Sequence, residues 1–229
     1  MVGHALKRAL DRAVAVPLLV LLTPLIVVLA VAIKVESRGP VFHRCRRVGR
    51  GGRELSMIKF RKMHDGAGGP ALAAAQDERF TRLGPFLART KLDELPQLWN
   101  VIKGHMSLVG PRPEDPGFVE AYRAEYDAIL TVPPGITGLS QLAFARESEI
   151  LDPDDRVGHY MNGILPQKIG IDRMYASRRS LGMDLKILWW TAAAVVLRRE
   201  VAVHRETGCL SLRIPRNAFQ HVTLERQRA

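Results

Sequence analysis

Two adjacent carboxylates, Asp93 and Glu94, sit in the run Thr90-Lys91-Leu92-Asp93-Glu94-Leu95-Pro96, and basic residues flank them along the chain. On a helix, neighbouring side chains diverge by about 100°. That geometry does not suit two carboxylates flanking a sugar ring, which need a set separation. It suits a nucleophile and a helper placed at one edge of a metal ion. A carboxylate can attack phosphorus covalently, and attack on a diphosphate calls for Mg²⁺ and cations to disperse charge on the phosphoryl oxygens. Lys59, Arg61, Arg89 and Arg112 are the cations at hand. The plain alternative is that the pair merely decorates a solvated helix face, which holds for most Asp-Glu pairs.

These residues need elements to hold them. Apolar periodicity predicts a helix over about 83–101 carrying the pair, and another over about 116–130, stopped by Pro133-Pro134-Gly135. Val41-Phe42 begins a strand, Gly49-Arg50-Gly51-Gly52 reads as a hairpin loop, and residues 55–63 form the second strand with Lys59 and Arg61 on it. Residues 64–77, rich in Gly and Ala, read as a surface loop. Near the end, 185–197 is apolar but too short to span a bilayer. Trp189 and Trp190 favour a helix lying at a membrane interface.

The N-terminal region decides where the chemistry takes place. Residues 13–33 contain no charge, and 21 residues at helical rise reach about 31 Å, close to the hydrocarbon thickness of a bilayer. A signal peptide, a single-pass anchor and a helix that enters and leaves on one face all fit that length. Lys7, Arg8 and Arg12 precede the segment, and Lys34, Arg38, Arg44, Arg46 and Arg47 follow it. The positive-inside rule therefore draws both ends to the cytoplasmic face, which favours re-entry. Pro24 lies mid-segment, where it removes a hydrogen bond and predicts a kink. The Thr23 hydroxyl can satisfy a backbone carbonyl beside it.

Lys and Arg total 34 against 23 Asp and Glu, a net charge of +11. Such an excess predicts a polyanionic partner, whether nucleic acid, anionic lipid or a phosphate-rich substrate. Nucleic acid is set aside. The basic stretch 44–53 has little aromatic interleaving beyond Phe42, and no nucleic-acid motif appears. Cys45 and Cys209 lie far apart without metal-ligand spacing, so no disulfide framework is implied.

Four motifs stand in a telling order: Lys59-Phe60-Arg61-Lys62-Met63, residues 92–96, residues 106–113 with Gly110-Pro111-Arg112-Pro113, and Pro134-Gly135-Ile136-Thr137-Gly138. In that order they resemble the bacterial sugar transferases, the monotopic phosphoglycosyl transferases that start glycan assembly. The likeness runs over roughly 5–197 and includes Asp184-Leu185-Lys186-Ile187-Leu188. It implies an α+β fold: a re-entrant N-terminal helix broken at Thr23-Pro24 over 1–36, and a catalytic domain over 37–200 with a short β-hairpin and amphipathic interfacial helices. A basic tail fills 201–229. It implies Asp93 as covalent nucleophile with Glu94, both near Mg²⁺, and Lys59 and Arg112 at the phosphates. It implies a UDP-sugar donor, a polyprenol phosphate acceptor and the cytoplasmic face of the bacterial plasma membrane, and it leaves room for a homodimer. Two positions depart from the pattern. Ala88 stands where the family usually has Arg, with Arg89 beside it, and His105 stands where an acidic residue is common.

Overall fold

The computed structural model describes residues 3–69, 72–74, 76–197, 201–204 and 207–212. The chain opens with helix α1, His4–Glu36, 33 residues of mostly Leu, Val, Ala and Ile. A helix of that length is about 50 Å long, and by length and composition it can cross a membrane. It runs continuously through both Pro17 and Pro24, so the break expected at Thr23-Pro24 does not interrupt the helix. Pro24 has no N–H to give to the Val20 carbonyl one turn back, and one residue earlier the Thr23 hydroxyl donates to the Leu19 carbonyl at 2.8 Å.

One stripe of α1 faces the rest of the chain. Lys7, Asp11, Ala15, Leu29 and Ile33 are buried, and Leu19, Leu22 and Ile26 pack partly between them. The opposite face, with Val20, Leu21, Val28 and Val31, is exposed. Each end of the helix is fastened to the same domain. At the start, Lys7 pairs with Asp184 at 2.8 Å, and Ser107 donates to Asp11 at 2.7 Å. At the end, the Leu83 amide donates to Glu36 at 2.8 Å.

Strands β1 (Phe42–Val48) and β2 (Glu54–Phe60) form the expected antiparallel hairpin, with Cys45 opposite Met57. Leu55 and Met57 turn inward while Arg46 faces solvent against Glu54, the alternation of a sheet with one buried face. Phe60, at the strand's end, is buried on the opposite face against Leu29, Ile33 and Leu87. Strand β2 stops at Phe60, three residues short of the expected end, and Arg61 to Met63 leave the ladder.

The single helix expected over 83–101 is two. Helix α2 is Gly84–Thr90 and α3 is Gln97–Ile102. Between them Lys91 adopts φ 58°, a left-handed conformation that no α-helix accommodates, followed by a 3₁₀ turn over Leu92–Glu94. The helix expected over 116–130 also divides, into α4 (Pro116–Ala121) and α5 (Arg123–Ile129), with Tyr122 out of helical geometry. These two helices connect β3 (Ser107–Val109) to β4 (Gly135–Thr137), which pair in parallel, Ser107 opposite Gly135.

Short helices α6 (Leu139–Ala143), α7 (Glu147–Ile150) and α8 (Arg156–His159) lead through a wider π-type turn, Tyr160–Ile164, into α9 (Leu165–Arg178). Helix α10, Leu181–Leu197, begins four residues before the apolar run. It buries Ile187 and exposes Leu185 and Trp189. Strands β5 (Val201–Val203) and β6 (Leu210–Leu212) close a last antiparallel hairpin. Val201 joins the main core with Leu98, Val109, Leu139 and Tyr175. The tail expected over 201–229 otherwise lies outside the described residues.

Candidate active site

The turn between α2 and α3 is the centre of the site. With three residues per turn, a 3₁₀ segment separates adjacent side chains by about 120°, and Asp93 and Glu94 accordingly meet different partners. Asp93 is 1% exposed. Its Oδ2 accepts from Lys62 Nζ at 3.0 Å, and its Oδ1 is buried with no hydrogen-bond partner. Glu94 accepts from Lys59 Nζ at 2.8 Å, and the Arg112 guanidinium lies 3.9 Å away.

Each cation reaches the turn from a defined place. Lys59 lies near the end of β2, Lys62 just beyond it, and Arg112 in the Pro111-Arg112-Pro113 segment after β3. The Asn100 side chain ties α3 to β2, accepting from the Ile58 amide at 3.1 Å and donating to the Ser56 carbonyl at 2.8 Å. That stitch fixes the turn against the strand that supplies Lys59.

Charge settles the state of Glu94. Burial pushes its carboxyl up, but Lys59 and Arg112 together hold it down at about 2. It is an anion at neutral pH and cannot serve as a proton donor there. Arg112 is held charged against burial by Glu94 and Glu114.

The remaining expected residues are placed otherwise. The Arg61 guanidinium donates to three backbone carbonyls, those of Ser37 at 2.9 Å, Arg38 at 2.5 Å and Pro40 at 2.6 Å. It is spent on the connection between α1 and β1, away from the carboxylate pair. Arg89, in the last turn of α2, is exposed and makes no ion pair among the described residues. Ala88, where the family pattern has Arg, carries no charge to the turn. His105 is exposed, as suits a residue with no assigned role.

The structure adds a second tier. Glu114 accepts from Tyr160 at 2.8 Å and from Lys168 at 3.1 Å, and Lys168, 2% exposed, also reaches Glu147 at 2.8 Å. Arg112 Nε lies 4.0 Å from Glu114, so this buried group backs the arginine that faces Glu94. Asp172, beneath it on α9, is pushed up to about 7 by burial, against the opposing pull of Ser140 and Lys168. One sequence signal points to this tier: Lys168 and Asp172 stand among Leu165, Ile169, Ile171 and Tyr175, charges on an otherwise apolar face.

The residues present fit a magnesium ion. Mg²⁺ is commonly held by one or two carboxylates plus substrate phosphates and water. The turn offers two adjacent carboxylates and one buried oxygen without a partner. No cluster of three or more His, Cys, Asp or Glu suited to a metal occurs among the described residues, so a cage built wholly of protein is not on offer.

Comparison with known proteins agrees with the motif order. A family profile described as bacterial sugar transferase matches residues 2–198. The chain is 40% identical over 195 residues to a UDP-glucose:undecaprenyl-phosphate glucose-1-phosphate transferase of Caulobacter vibrioides, covering 83% of this chain and 69% of the relative. It is 40% identical over 201 residues to a protein of the same name from Xanthomonas campestris pv. campestris, covering 83% of this chain and 38% of that one. An Aeromonas hydrophila UDP-N-acetylgalactosamine-undecaprenyl-phosphate N-acetylgalactosaminephosphotransferase is 35% identical over 196 residues, covering 83% of this chain and 44% of its own. The chain thus spans less than half of the latter two. With residues 2–198 matched, the chain belongs to the bacterial sugar transferase family and by that membership is a transferase.

Proposed function

We propose that the chain transfers a sugar-1-phosphate from a UDP-sugar to undecaprenyl phosphate through a phosphoryl-aspartate intermediate on Asp93. One observation carries the reading. Asp93, a fully buried carboxylate paired with Lys62, has one oxygen free of hydrogen bonds, and the adjacent Glu94 draws in Lys59 and Arg112. A buried carboxylate oxygen left without a partner is costly, and such features concentrate where they serve chemistry. The names of the relatives, which act on UDP-sugars and undecaprenyl phosphate, supply the substrate classes.

In the first half-reaction an Asp93 oxygen bonds to the β-phosphorus as the bond from that phosphorus to the bridging oxygen breaks, and UMP departs with the electron pair. In the second, an oxygen of the lipid phosphate bonds to the same phosphorus and the Asp93 oxygen leaves, restoring the carboxylate. Mg²⁺, when bound, supplies positive charge against the diphosphate oxygens. Lys59 and Arg112, oriented by Glu94, neutralise charge that grows on the phosphoryl oxygens. Glu94 orients these cations rather than moving a proton.

The lipid acceptor requires the site to stand at a membrane. The exposed apolar faces of α1 and α10 support residence in the bilayer. Re-entry of α1 is supported by its fastening at both ends to one domain and by basic residues on both flanks. Catalysis is then on the cytoplasmic face, to which the basic flanks of α1 are drawn.

A panel of UDP-sugars, scored for UMP release with lipid acceptor and Mg²⁺, tests the activity. Asp93→Asn keeps the shape and removes the nucleophile, so turnover falls by several orders of magnitude. Intact-mass measurement is expected to show a sugar-phosphate adduct on the native chain and none on the variant. Substantial UMP release by Asp93→Asn defeats the covalent scheme.

A further inference from the structure

Lys62 plays no part in the chemistry just described, yet it holds the nucleophile. Its Nζ lies 3.0 Å from Asp93 Oδ2, and the Asp93 side chain is 2% exposed. A carboxylate buried to that degree needs a counter-charge to stay ionised. Lys59 is committed to Glu94, so the ion pair with Lys62 meets that need. The backbone of Lys62 is pinned: its carbonyl accepts from the Thr81 amide at 3.1 Å, and a Cβ on Gly84 would lie 2.2 Å from that same oxygen. Its side chain is less confined, at 27% exposed against 11% for Lys59. Lys62 is therefore an ammonium on a fixed anchor with room to swing.

We propose that Lys62 is a resident counter-ion for Asp93, occupying the carboxylate until a divalent cation takes its place. The inference rests on the reading of Asp93 as nucleophile and metal ligand. The ammonium and a divalent cation compete for one carboxylate, and two like charges a few ångströms apart in a poorly solvated pocket repel strongly. The resting enzyme thus binds metal weakly, with its nucleophile blocked by the ammonium. Once displaced, the Lys62 ammonium is free to meet a phosphate oxygen of the donor, so the cation that guards the nucleophile also serves the substrate.

The test is direct metal binding, read without turnover. Mn²⁺ is titrated into the full chain in lipid nanodiscs, with free ion followed by electron paramagnetic resonance. Lys62→Met, which removes the charge and keeps the bulk, is expected to tighten Mn²⁺ binding about tenfold or more. Lys62→Arg, which keeps the charge, stays within about threefold of the native chain. Asp93→Asn abolishes the site. A Lys62→Met affinity no tighter than native, with Asp93→Asn still abolishing binding, overturns the counter-ion role and leaves the reading of Asp93 intact. Unchanged binding in Asp93→Asn overturns the metal reading itself. A second measurement covers the case in which Lys62→Met does not fold. In the native chain, modification of Lys62 by an amine-reactive reagent, quantified by peptide mass spectrometry, should accelerate severalfold on adding Mg²⁺. No acceleration refutes displacement.

Discussion

Lys59 and Arg112 approach Glu94 from two different strand ends, and together they hold its carboxyl ionised. If they neutralise the phosphoryl group in the transition state, Lys59→Ala and Arg112→Ala each lower kcat/KM by about 10²-fold or more. Steady-state kinetics with the preferred UDP-sugar measure this, and native-like rates in both variants would mean that the phosphate lies elsewhere. Arg89→Ala is the contrasting case. Its side chain is exposed and without an ion pair among the described residues, so its loss changes kcat/KM by no more than a few-fold. Asp172 gives a prediction in pH. Its folded value, about 7, lies above its ordinary 3.8, so between those values the folded chain holds a proton that the unfolded chain has shed. Stability contributed by that protonated form is complete below about 4, falls as pH rises, and stays diminished above about 7. Asp172→Asn should therefore melt several degrees higher than the native chain at pH about 8, with the difference gone near pH 4. Thermal unfolding at the two values checks the sign.

At the scale of elements, the site depends on breaks in regular structure. The left-handed Lys91 and the 3₁₀ turn end α2 early and rotate Asp93 inward, where an unbroken helix would have carried the pair past the cations on β2. Arg61, leaving the ladder after β2, fastens the chain between α1 and β1 by three carbonyls, so the strand that supplies Lys59 is also tied to the segment that follows α1. The parallel pairing of β3 and β4 places Arg112, and it relies on close backbone approach. A Cβ on Gly135 would lie 2.1 Å from the Gly110 amide nitrogen. Neither backbone can yield without parting the strands, so Gly135→Ala is expected to cost about 3 kcal/mol or more. A denaturant midpoint close to that of the native chain would show that the pair separates more easily than its geometry implies.

For the whole molecule, the question is how a helix of 33 residues relates to a bilayer. A straight span would carry one end to the far side, but Lys7 and Asp11 at one end and Glu36 at the other are bonded to the same domain. Breaking the buried Lys7–Asp184 pair to allow a span would leave Asp184 buried without its cation, at a cost of about 3–5 kcal/mol. After Cys45 and Cys209 are replaced by Ser, Ala5→Cys and Val35→Cys are therefore both expected to react with a membrane-impermeant thiol reagent from the cytoplasmic side of oriented vesicles. Labelling of position 5 from the opposite side alone would overturn re-entry. Pro24→Ala restores the missing donor and removes the ring clash. It should shift a fraction of molecules toward a spanning arrangement, with activity falling in proportion.

Much of this protein was legible in local pattern. The uncharged run of 13–33, the hairpin about Gly49 to Gly52 and the pairing of Asp93 with Glu94 follow from composition and periodicity, because each depends on near neighbours along the chain. The family was identified differently, by the resemblance of four motifs in their order. What periodicity could not reach was any property set by contacts distant in sequence. It places Arg61 beside Lys59 but not its turn toward Ser37, Arg38 and Pro40. It counts Lys62 among many lysines but not as the partner of a carboxylate 31 residues on. It reads 83–101 as one helix, because the left-handed turn at Lys91 is favoured only once the ion pairs and the Asn100 stitch to β2 hold it there. A backbone conformation that opposes local preference persists only where surrounding contacts outweigh its cost. Such contacts exist only in the folded chain.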